Sequence, residues 1–162
     1  MATITTLAQA GGVTSATRNW LATPVLYSNT IDFAQALAAK GSALASADVI
    51  EAIRIPAGCF ILGAGLQTIE VDDATTLTIG VGTDLDPDGF VDAYDQAAAI
   101  AGAYGTSLFD TSEIHTLYTA ANSIDIVFET LTGTLTVGKV RVFAWVLDIN
   151  GAPEPGLVQI GS

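Results

Sequence analysis

Residues 139–149, KVRVFAWVLDI, alternate without a break. Val140, Val142, Ala144 and Val146 fall on one side, and Arg141, Phe143, Trp145 and Leu147 on the other. A period of two is the mark of a strand, and the aliphatic set defines the face turned to a core. The stretch upstream repeats the pattern. SIDIVFETL (123–131) reads as a strand, and TGTLTVG (132–138) is the turn that joins the two.

Working further out, TTLTIGVG (75–82), HTLYT (115–119) and PVLYSNTIDF (24–33) have strand composition. VIEAIRI (49–55) sets Val49, Glu51, Ile53 and Ile55 against Ile50, Ala52 and Arg54. That alternation is imperfect, but the β-branched content favours a strand. Pro56, Ala57 and Gly58 form a turn, and CFILGAGLQTIEV (59–71) continues as a strand with a bulge near Gly63 and Gly65. Between these segments, residues 34–48 hold alanines interrupted by Gly41 and serines, which predicts a loop with one helical turn. Residues 92–105 predict a second helical turn, ended by Gly102 or Gly105.

About eight short strands at intervals near ten residues predict a mainly β fold, an antiparallel β-sandwich of jelly-roll type. Residues 24–151 form the sandwich, residues 152–162 a proline-bearing tail, and residues 1–23 an extended N-terminal arm. For the arm two readings stand: a segment anchored through Trp20, or a frayed end.

The 162 residues suffice for one domain, and half of them are hydrophobic, so a core can form. Seventeen acids face five bases, a formal charge of −12. No Lys or Arg stands between Arg54 and Lys139. Such a surface repels DNA and anionic membranes, so neither is an expected partner. Cys59 is the only cysteine, which excludes an intrachain disulfide and a cysteine zinc cage. The start MATITTLAQAGGVT lacks the basic and apolar regions of a signal peptide, and no apolar run is long enough to span a bilayer. Synthesis in a cytoplasm is the expectation.

Catalytic groups are thin. His115 is the only histidine, near Asp110 and Glu113, with no GxSxG or activated-thiol motif around it. No enzyme activity and no catalytic residue are expected, and Cys59 reads as a small buried hydrophobe. GAGLQT (63–68) and GVGTD (80–84) lack both the helix and the lysine of a phosphate loop. One spacing suggests chemistry. In residues 84–95, DLDPDGFVDAYD, carboxylates stand at positions 1, 3, 5, 9 and 12, with glycine at 6. That is the oxygen ladder of a calcium loop, with Asp84, Asp86, Asp88 and Asp95 as candidate ligands. Pro87 and the lack of an entering helix favour the other reading, a solvated acidic turn with no cofactor.

DVIEAIRIPAGCFILG (48–63), DPDGFVDAYD (86–95) and GKVRVFAWVLDING (138–151) together resemble a family of tailed-bacteriophage and prophage virion proteins. The resemblance runs from about Leu26 to Gly151, with Phe143 standing where the family places a Trp. It implies a structural protein of the virion, of capsid cement or decoration type. Its partners would be the major capsid protein and further copies of itself, as a dimer or trimer. The rival is a tail- or fibre-associated carbohydrate-binding module with Tyr94, Tyr104 and Tyr118 around a sugar. A glycosidase using Asp110 and Glu113 ranks third.

Overall fold

A computed structural model describes residues 3–5, 24–106 and 117–149. Strand β10 (Lys139–Asp148) lies between β2 (Val25–Asp32) and β4 (Cys59–Glu70), antiparallel to both. The alternation in its sequence is kept in space: Val140, Val142, Ala144 and Val146 are buried, while Arg141 and Trp145 are exposed. Beyond β4 the sheet continues to β7 (Tyr104–Thr106), and β8 (Leu117–Tyr118) also pairs with β4.

The second sheet has the order β1 (Thr3–Thr5), β3 (Val49–Ile55), β9 (Asn122–Thr132), β5 (Thr76–Gly82) and β6 (Val91–Asp95). Leaving out β1 and β8, the eight remaining strands lie in the orders first-eighth-third-sixth and second-seventh-fourth-fifth along the chain. That is the jelly-roll arrangement, in which consecutive strands mostly change sheet. The inner faces meet through Ile50, Ile61, Leu66, Leu77, Ile79, Ile124, Ile126 and Phe128. Each such side chain contributes about 1.5–3 kcal/mol of transfer free energy.

Three local expectations are altered. The imperfect alternation of β3 is a bulge: Glu51 pairs with Asp125 and Ile53 with Ile124, so Ala52 is the additional residue. The phase shifts there, and Ile50, Ala52, Ile53 and Ile55 all reach the core. The 34–48 segment holds a helix, α1 (Phe33–Lys40), rather than one turn. Asp32 caps it by accepting from the amides of Ala34 (2.9 Å) and Gln35 (3.4 Å). Gly41 ends it at φ +71°. Phe33 and Ala36 bury its inner face, which composition alone does not reveal. Residues 92–105 begin in β6 and end in β7, which pair with β5 and β4, and the alanines between these strands lie in turns closed by the Ala99 amide on the Gln96 carbonyl (3.2 Å) and the Ala103 amide on the Ile100 carbonyl (2.9 Å). Within the arm, Thr3–Thr5 forms β1 parallel to Val49–Glu51. Trp20, Asp110, Glu113, His115 and the 152–162 tail lie outside the described residues, as does most of the 1–23 arm. No described helix is long and apolar enough to cross a membrane.

Candidate functional site

The two outer faces of the sandwich differ in chemistry. On the β3–β9–β5–β6 sheet, the outward positions of β9 are Asp125, Val127 and Glu129, beside Glu51 of β3 and Gly80 and Gly82 of β5. The acidic loop folds back over those glycines. A Cβ on Gly82 would lie 1.9 Å from the Asp86 carbonyl oxygen, and one on Gly80 3.1 Å from Asp88 Cβ. GVG in this strand is therefore a floor for the loop rather than a turn. The Asp86 carbonyl accepts from the amides of Thr83 (2.8 Å) and Gly89 (3.2 Å). Phe90 then plugs the core, with its amide bonded to the Val81 carbonyl at 2.8 Å.

This placement distributes the four candidate calcium ligands. Asp88 joins Asp92 and Glu129, whose ligand oxygens all lie within 4.8 Å of one another. Glu129 accepts from the Ala93 amide at 3.2 Å, and partial burial raises its pKa, with Asp92 and Asp88 adding to the rise. Asp84 lies instead at a cavity of about 180 Å³ shared with Glu51 and Asp125. Asp86 occupies the turn of the loop. Asp95 sits at the far end of β6, opposite Thr78, and accepts from the Ala98 amide at 3.0 Å.

Asp125 carries no motif that marks it as a site residue, although Asp125 and Glu129 are the two acids of β9 and share its outer face. It is only 4% exposed, and its Oδ1 has no hydrogen-bond partner among the described residues. Burial pushes its pKa up to about 6, against a hydrogen bond from Ser123, and Asp84 and Glu51 add to the rise.

The β2–β10–β4–β7 sheet presents the opposite character. Trp145 (45% exposed) is paired across to Leu26 (51% exposed) and to Gly63. Phe143 is opposite Gly65, and its ring meets that of Tyr104 edge-on at 6.2 Å. Tyr104 and Leu117 are exposed nearby on the partner strands of β4. The register slips between Trp145 and Val146, which places the expected bulge beside Gly63. The three tyrosines of the carbohydrate alternative do not share a surface. Tyr118 is buried opposite Cys59, the Tyr94 hydroxyl is bonded to Thr68 Oγ1, and Tyr104 is exposed opposite Gln67. Cys59 itself is buried, and burial raises its thiol pKa.

No protein-family model matches this sequence, and no curated protein matches it. Solved structures of phage capsids are similar in fold. A chain of the cyanophage Pam1 capsid asymmetric unit aligns over 88% of this chain and 98% of its own, at 19% identity and a TM-score of 0.61. A chain of the capsid of Ralstonia phage GP4 aligns over 91% and 98%, at 16% identity and a TM-score of 0.62.

Proposed function

We propose that this chain is a structural protein of a phage virion, a capsid cement or decoration protein that binds the head shell. The observation that carries this reading is the fold match: the jelly roll extends over 98% of two chains taken from phage capsids, so the likeness takes in nearly the whole of each. The residues are consistent with the role. The outer face with Leu26, Phe143, Trp145 and Tyr104, which no described segment covers, is the contact surface, since aromatics are enriched where interfaces bury their cores. The acidic remainder of the surface avoids packaged DNA. The partners are the major capsid protein and, through symmetric packing on the shell, further copies of this chain as trimers or dimers. The chemistry of this reading is binding.

Co-sedimentation of the purified protein with shells lacking it provides the test. Wild type is expected to pellet with the shells and Trp145→Ala to remain in solution. Density for the chain on the tail, or equal pelleting of both proteins, would overturn the reading.

A further inference from the structure

We propose that the cavity between β3, β9 and the 83–90 loop takes an arginine side chain from a neighbouring protein of the shell. The inference rests on the capsid reading and names a contact within it. Glu51, Asp84 and Asp125 bring three carboxylates to one cavity of about 180 Å³. Asp125 forms its buried part, 4% exposed, with Oδ1 unpartnered among the described residues. A buried carboxylate oxygen left without a donor is costly, and a donor from outside relieves that cost.

Three features select the donor. The rest of the lining includes Val49, Val127 and Pro87, apolar walls suited to the methylene stem of a long cationic side chain. The oxygens of Glu51, Asp84 and Asp125 are not all within 4.8 Å of one another, unlike those of Asp88, Asp92 and Glu129. A bare ion bound at about 2.3–2.6 Å holds most of its oxygens well inside twice that distance of one another, so the tighter cluster suits it better than this spread set. A guanidinium spreads five donors over a plane and reaches separated acceptors, which the compact ammonium of lysine does not. The chain has only five cationic residues against seventeen acids, so charge complementarity points outward to a basic partner.

The experiment uses the full chain and three blocked tripeptides, Gly-Arg-Gly, Gly-Lys-Gly and Gly-citrulline-Gly, followed through backbone amide shifts. Citrulline keeps the shape of arginine and removes its charge. The arginine peptide is expected to shift the amides of Val49, Asp84 and Val127 saturably. Binding is expected to weaken about tenfold or more with citrulline or in Asp125→Asn. Equal shifts from arginine and citrulline peptides would overturn the inference. So would saturation of the same amides by calcium at lower concentration, which would make the cavity an ion site. If the amides become responsive only in Arg18→Ala, the occupant is this chain's own segment and the partner assignment falls. Shell co-sedimentation separates the two levels. Wild type that pellets while the peptides do not bind removes the cavity contact and leaves the capsid role standing. Wild type that fails to pellet removes the capsid role itself.

Discussion

The two outer faces of this sandwich are built on the same strand period but finished in opposite ways. On the β3–β9–β5–β6 sheet the chain covers itself: residues 83–89 lie over Gly80 and Gly82, and Phe90 holds the loop from inside the core. On the β2–β10–β4–β7 sheet Gly63 and Gly65 are also central, yet they lie opposite Trp145 and Phe143 and no described segment covers these side chains as the loop covers Gly82. A glycine pair in a strand thus marks two different things. In one sheet it makes room for backbone from above, and in the other it faces large rings across the ladder. The face under the loop is acidic and the face left open by the described residues is aromatic, so each suits a different kind of contact.

The strongest way to break that contrast is to remove the pin of the covered face. Phe90→Ala empties a fully buried site and is expected to cost about 3–5 kcal/mol in denaturant unfolding. A loss below about 1 kcal/mol would mean that the loop does not depend on its plug.

The buried carboxylate beneath the loop comes next. Asp125 has its pKa pushed up to about 6 in the fold, from an ordinary value of 3.8. The folded state therefore holds a proton that the unfolded chain has released, and stability falls as pH rises through the window from about 4 to about 6. Above it the full penalty remains, up to roughly 3 kcal/mol. Asp125→Asn is expected to flatten the pH dependence in that window and to stabilise the protein at pH 7. An unchanged slope of unfolding free energy against pH would show that the carboxylate is better solvated than its surroundings imply.

Gly82→Ala tests the floor. Its new Cβ would meet backbone atoms, Asp86 O at 1.9 Å and Pro87 C at 2.3 Å, so the loop must move. The expected loss is about 1–3 kcal/mol, with amide exchange quickening in residues 83–89. The same exchange experiment on Trp145→Ala provides the contrast. On the aromatic face the substitution is expected to change stability by less than about 1 kcal/mol while abolishing attachment to shells.

The smallest effect is calcium's. Asp95 is separated from Asp84 by the length of β6 and is engaged with Ala98, so the four spaced aspartates do not ring one point. Calcium is expected to raise the melting temperature no more than magnesium does at equal concentration. A calcium-specific rise lost in Asp88→Asn would place an ion at the Asp88, Asp92 and Glu129 cluster and give the covered face a second function.

The strands and their inner faces were determined by the sequence. The alternation of 139–149 and the apolar positions of 123–131 specify which side chains meet a core, because the side-chain period of a strand is set by covalent geometry, whereas in 49–55 the bulge at Ala52 changes the inward face part-way along the strand. Alternating short strands and turns were enough to name a sandwich of jelly-roll type. Helix α1 is longer than its local sequence indicates because its stability comes from Phe33 and Ala36 packing inward, with Phe33 meeting Phe128 of distant chain. In residues 92–105 the two ends pair with β5 and β4, which leaves the alanines between them a span of turns rather than a helix. The candidate site belongs wholly to the tertiary structure. Spacing along residues 84–95 grouped aspartates by their order in the chain, whereas the fold grouped Asp84 with Glu51 and Asp125 from two other strands. A carboxylate's environment depends on what is folded over it, and here that is a loop resting on glycines whose neighbours above no local pattern records.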